Sequence, residues 1–450
     1  MLAHTTGFPH SCRPDFPADR TIWLIALAIL LSRLVLVVFA FRLDLHDAAR
    51  YIQEAANLLQ YGILSGMNTP DAEPLAHDMP GYPLILAGLM LLFKNPWLVA
   101  RVAGALNAFA FTGAALLVYA LLTAAGGSKR KAAGAMLLFA LFPESFPYSV
   151  IEMPESLFLA FFLSSVLFTV WFLLEPRPGW LCLAFALLGC SVMLKPVSLP
   201  FAGVVVLAVV FRYWRQPALR RPVALALIGG LLAEAAVCSP WLIRNYRLFG
   251  SASFTTITGS NLFWYNYRYM LLDKGIPAQA VDSILDGELK RVAAETSGWE
   301  TNPFIQTKAL QKLVMSRIFA DPLAYAWTVV KRYPNLYGGT GALDLIDMLS
   351  RAPRTQGARL DQTYANHPAR RPLRIFLSVL LCLMYMLIVV GTVVMIRARL
   401  WRPLLLAVIP ILYFSLIYGP VTASRYRLTM APFFAILAAY GIPDRFRSKK

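Results

Sequence analysis

Long apolar runs separated by short basic clusters constrain this chain more than any other feature. About 20 apolar residues cross a bilayer as a helix, and in hydrocarbon only helices and closed barrels satisfy their own backbone. By that measure spans fall near 22–42, 97–123, 132–150, 155–174, 179–195, 197–212, 222–243, 373–396, 403–419 and 428–442. The pair at 179–212 breaks at Lys195–Pro196 after two short halves. The expected fold class is α, a polytopic membrane helical bundle of about ten spans. Only 15% of the 450 residues are charged, against about 25% in a soluble domain. The segment 22–41 lacks a small-residue cleavage site and is expected to stay as an anchor.

The chain carries a formal net charge of +18, which in another context would suggest nucleic acid. Here the basic residues lie in clusters between spans, the pattern of positive-inside topology, so nucleic acid is not an expected partner. The stretch Pro80–Phe93 decides the count. It is too short to span and suits a juxtamembrane helix. Left uncrossed, it puts Arg13/Arg20, Lys129–Lys131, Arg177, Arg212–Arg221, Arg397–Arg402 and Arg445–Lys450 on one face. Both termini are then cytoplasmic. Five scattered cysteines (Cys12, Cys182, Cys190, Cys238, Cys382) form no metal or disulfide pattern.

The opposite, extracytoplasmic face receives the loop 43–96, the turn around Glu152–Glu155, the segment 244–372 and the turn Thr422–Arg427. The expected organisation is a membrane core over 1–243, a small helical extracytoplasmic segment over 244–372 and C-terminal spans with a basic tail over 373–450. Within 244–372, Pro277–Thr296 and Phe304–Phe319 read as helices.

Chemistry-bearing residues gather on that face. Asp44 and Asp47 lie one helical turn apart, with Arg50 and Tyr51 on the next turn. Such a cluster equally suits a solvated helix end with Tyr51 in the aromatic belt. His77 and Asp78 precede a proline-started helix and could join Asp47 around a divalent cation (Mg or Mn), or simply line a solvated turn. Glu155 sits beside a hairpin between spans, where it either caps the following helix or lines a site. Arg244 and Arg425 are cations on the face the topology rule disfavours. A phosphate is their natural partner, with snorkelling to lipid headgroups the alternative.

In this order, Asp47–Ala48–Ala49–Arg50–Tyr51, Pro80–Gly81–Tyr82–Pro83–Leu84, Pro154–Glu155–Ser156–Leu157–Phe158, Pro240–Trp241…Arg244–Asn245–Tyr246…Phe249–Gly250 and Arg425–Tyr426–Arg427 resemble the C-type (GT-C) membrane glycosyltransferases. The resemblance is to the bacterial branch related to protein O-mannosyltransferases and lipid A aminoarabinose transferase, and it runs over nearly the whole chain. It implies a GT-C bundle with juxtamembrane helices in the first extracytoplasmic loop. It also implies a polyprenyl-phosphate-linked sugar donor, a lipid, glycan or protein acceptor, and inversion at the anomeric centre. By the same resemblance Asp47 is the catalytic carboxylate and Glu155 a second acid. Arg50 and Tyr51 lie near the donor phosphate, and the site faces the exterior of a bacterial inner membrane.

The expected activity is transfer of a sugar to an acceptor, with Asp47 as base and Arg50, Arg244 and Arg425 taking the leaving phosphate. The alternative is a transporter or flippase of a lipid-linked sugar. Intramembrane Arg33 and Lys195 favour that alternative, and the lack of an internal repeat opposes it.

Overall fold

The structure, a computed structural model, describes residues 19–45, 47–66, 73–351 and 360–443; Arg13, Cys12, His46 and the Arg445–Lys450 cluster lie outside them. Every regular element among the described residues is helical. The bundle contains α1 (Arg20–Phe39), α2 (Ala48–Tyr61), α3 (Gly81–Phe93), α4 (Pro96–Ala124), α5 (Lys129–Leu141), α6 (Ser145–Tyr148), α7 (Glu155–Leu174), α8 (Pro178–Leu194), α9 (Phe201–Tyr213) and α10 (Pro217–Phe249). Next come α11 (Ile257–Asn261), α12 (Arg268–Asp273), α13 (Ala278–Glu295), α14 (Pro303–Ala320), α15 (Pro322–Gly338), α16 (Ala342–Leu349) and α17 (Leu360–Thr363). The chain returns to long apolar helices with α18 (Arg370–Arg397), α19 (Trp401–Tyr418), the short α20 (Ser424–Arg427) and α21 (Ala431–Gly441).

Seven helical segments among the described residues are long and apolar enough to cross a membrane: α1, α4, α7, Pro196–Tyr213, α10, α18 and α19. The other three expected spans are shorter. Helices α8 and α21 are apolar, but the stretch expected as a single span over 132–150 is split. Pro143 cannot continue the ladder, so α5 stops at Leu141 and a separate turn, α6, follows. Helix α3 is short as expected, ending at Lys94 in the left-handed conformation. Helix α10 runs through position 243 to Phe249 and ends on a left-handed Gly250. At 33 residues it is about 50 Å long, more than a 30 Å hydrocarbon core requires, so its last turns stand above the membrane.

Successive long helices run antiparallel, which sorts their ends. Lys131 donates to the Ile442 carbonyl at 2.6 Å, joining the α4–α5 turn to the end of α21. That end of the bundle also carries Arg20, Arg177, Arg212, Arg220 and Arg397. At the other end Arg101, near the start of α4, donates to the carbonyls of Val37 and Ala40 where α1 finishes. Glu152 NH bonds the Leu43 carbonyl there at 2.9 Å. Asn107 donates to the Tyr82 hydroxyl at 3.0 Å and to the Met153 carbonyl at 3.2 Å, tying α3 and the 150–154 turn to α4. A Cβ at Gly81 would meet the Met193 carbonyl oxygen at 2.6 Å, so only glycine lets the start of α3 press against the end of α8.

Candidate active site

Helix α2 builds the first wall. Asp47 is its N-cap residue, and positions 47, 50, 51 and 54 share one helical face. The Asp47 carboxylate takes a charge-assisted bond from Arg425 at 2.7 Å and faces Arg50 at 3.4 Å. Its side chain is 30% exposed, so the pair is partly open at the surface. Arg50 turns its other edge onto Asp78, with both guanidinium contacts made and one of them 2.9 Å long. Burial pulls the Arg50 guanidinium down, but the hydrogen bond and charge of Asp78, then the charge of Asp47, more than offset this and it stays protonated.

Tyr51 is buried and meets the Tyr82 ring edge-on at 5.8 Å, so it packs the floor of the site. Arg425 lies 5.0 Å from the Tyr426 ring centre, and Tyr426 stacks on Tyr418 at 4.8 Å. This aromatic pair fixes the arginine's direction. Glu155, at the first turn of α7, bonds Lys195 at 2.9 Å, and its second carboxylate oxygen is buried without a partner. Lys195 caps the end of α8 and faces the rings of Phe158 and Tyr426 at 5.9 and 6.0 Å. The structure therefore brings Asp47, Arg50, Tyr51, Asp78, Glu155 and Arg425 into one region.

The remaining expected residues sit differently. Arg244 is laid over Trp241 at 4.6 Å and donates to the Leu75 carbonyl and the Asn245 side chain, both at 2.8 Å. It braces the loop before α3. His77 accepts the Thr255 hydroxyl on its carbonyl. Burial, only partly opposed by Asp78, holds the His77 imidazole below its usual range. Asp44 is half-buried and its charge bears on Glu152. Among the described residues no three His, Cys, Asp or Glu side chains are grouped to hold a metal. Asp78 is bonded by Arg50, and Asp47 by Arg425.

Three residues of this region have surroundings that sequence reasoning did not reveal. Lys195 read as an intramembrane cation on a transport path and is instead the partner of Glu155. Arg427 reads as a phosphate ligand beside Arg425, yet it is fully buried against Glu144 at 2.6 Å and also donates to the carbonyls of Leu336, Tyr337 and Gly339. Glu54 is 3% exposed on the site face of α2. A heptad-like spacing of 47, 50, 51 and 54 was the available signal for it.

The fold defines a class: a polytopic, all-helical membrane protein. Residues 21–238, from α1 into α10, match the family model described as dolichyl-phosphate-mannose-protein mannosyltransferase. The fold is similar to that of the Archaeoglobus fulgidus oligosaccharyltransferase in its apo form (TM-score 0.52, 15% identity, 94% of this chain and 50% of that one). The same enzyme's complex with zinc and sulfate gives a TM-score of 0.51 at 14% identity, over 92% and 48% of the two chains. This chain thus spans about half the length of that enzyme. ArnT from Cupriavidus metallidurans bound to undecaprenyl phosphate aligns with a TM-score of 0.41 at 16% identity, over 94% and 78%. None of the curated proteins matches the chain by sequence.

Proposed function

We propose that this protein is a membrane glycosyltransferase that moves a sugar from a polyprenyl-phosphate donor to an acceptor at the extracytoplasmic face of a bacterial inner membrane. The observation that carries this reading is the Asp47–Arg425 pair, a partly exposed carboxylate joined to a guanidinium at the end of the bundle opposite the basic clusters. Transfer needs a base for the acceptor and cations for the departing phosphate, and both stand here within one contact.

In this reading Asp47 takes the proton of the acceptor hydroxyl or amine as that atom attacks the anomeric carbon. The bond from anomeric carbon to phosphate oxygen breaks, and the lipid phosphate leaves with the electron pair. In-line displacement inverts the centre. Arg425, Arg50 and Lys195 neutralise the charge that grows on the phosphate, with Glu155 aiming Lys195. Charge is handled by arginine and lysine without a cation, so activity is expected to survive a chelator. The family match over 21–238 supports the donor class. The segment 244–372 is proposed to cover the site and select a lipid, glycan or protein acceptor.

The test is sugar transfer in reconstituted vesicles supplied with polyprenyl-phosphate sugars, comparing wild type with Asp47→Asn. Loss of a positioned general base costs about 10²–10⁴-fold. Full activity in Asp47→Asn would remove the role of base. Donor crossing the vesicle without sugar transfer would favour a transporter instead.

A further inference from the structure

Glu54 has no place in the reaction as drawn, yet it occupies the fourth position of the site face of α2, seven residues after Asp47. Its side chain is 3% exposed, and its Oε1 is buried without a hydrogen-bond donor. Asp78 is the charged group that bears most on this carboxyl, and its own side chain is 5% exposed and already gripped by Arg50. Two carboxyls pressed together in a dry pocket cannot both ionise, and one keeps a proton.

We propose that Glu54 is a positioning residue that stands as a neutral carboxylic acid, donates its proton in a hydrogen bond to Asp78, and so holds Arg50 against Asp47. The surrounding groups agree on which acid is protonated. Asp78 has the guanidinium of Arg50 in bidentate contact, so its charge is matched. Glu54 has only the longer-range charges of Arg50 and Arg244 in its favour. Burial, then the charge and hydrogen bond of Asp78, push the Glu54 carboxyl up to about 9. The other titratable neighbours of the pocket are Asp47 and Tyr51 on α2 and His77 beside Asp78. His77 is held low and stays neutral through the range where Glu54 titrates.

The consequence is an alkaline limit. When Glu54 ionises, a second negative charge competes for Arg50 and draws it from Asp47. The kinetic arm of the test rests on the transferase reading, so a spectroscopic arm runs beside it. Difference infrared spectra of the purified full chain, between about pH 8 and pH 11 and so above the range where Glu152 titrates, should show loss of one protonated-carboxyl band. That band should be absent in Glu54→Gln and retained in Asp47→Asn. In vesicles, Glu54→Gln keeps the donor geometry and should stay within about threefold of wild type while losing the alkaline limb of kcat. Glu54→Ala should fall by about 10²-fold, the cost of a misplaced group. A band that persists in Glu54→Gln, or an alkaline limb unchanged in that variant, overturns the proposal. Because the infrared arm needs no sugar donor, a failure of the transferase reading leaves it decisive.

Discussion

Arg425 reaches Asp47 across 378 positions of sequence to close an ion pair of 2.7 Å. The two ends of the chain thus meet at one carboxylate, and α2 and α20 must both be in place for the site to exist. Burial opposes the charge of Arg425, but Tyr426 and Asp47 hold it protonated. If Arg425 meets the leaving phosphate and Asp47 the acceptor, the two side chains act as a unit. Arg425→Ala is expected to lower kcat by about 10²-fold, as for loss of one charge-stabilising donor. The double variant with Asp47→Asn should then be little worse than Asp47→Asn alone. Strict additivity in steady-state kinetics would show that the pair does not work together.

Glu144 and Arg427 are a different kind of pair. Both side chains are fully buried, and three backbone carbonyls complete the guanidinium. This arrangement staples the loop after α5, the end of α15 and α20. Breaking a buried pair from one side costs about 3–5 kcal/mol because the remaining charge is stranded. Glu144→Gln should therefore lower the melting temperature in detergent more than Asp47→Asn does. Equal melting temperatures for the two variants would contradict the staple.

Glu155 and Lys195 test which member of a pair touches substrate. Glu155 is 1% exposed and Lys195 16%, so the lysine is the one that faces the opening. Lys195→Met should lose about 10²-fold in kcat. Glu155→Gln keeps the cation and should lose about tenfold or less. A reversal of that order, with Glu155→Gln as damaging as Asp47→Asn, would make Glu155 a second reacting acid.

Much of this fold is legible in the residues, for identifiable reasons. Hydropathy locates nine expected spans as long helices or short apolar ones, because bilayer thickness imposes a length on apolar sequence. The helices Ala278–Glu295 and Pro303–Ala320 lie where their composition predicts. The span over 132–150 fails because two prolines, Pro143 and Pro147, outweigh its hydropathy. The site is legible where it is local: Asp47, Arg50 and Tyr51 follow helical spacing. It is not legible where partners are distant. Nothing in Arg425–Tyr426–Arg427 says that one arginine meets Asp47 and the other Glu144, and only the fold separates them. Glu54 on a mixed helix reads as a solvated acid until Asp78 is seen beside it.

Glu152 joins the end of α1 to the turn before α7 and carries a pH dependence of its own. It is 3% exposed, and burial, then the charge of Asp44, push its carboxyl up to about 7, with Arg101 pulling the other way. An ordinary Glu in the unfolded chain titrates near 4.3. Between these values the folded protein holds a proton that the unfolded chain has lost, so stability is full below about pH 4 and falls as pH rises through 7. Glu152→Gln removes the titrating group and should flatten the decline. Thermal unfolding in detergent from pH 5 to pH 8, about the window between those two values, would measure this. The wild-type melting temperature should fall across that range more steeply than that of Glu152→Gln. Parallel curves would mean that Glu152 ionises without cost, with Arg101 rather than burial setting its charge.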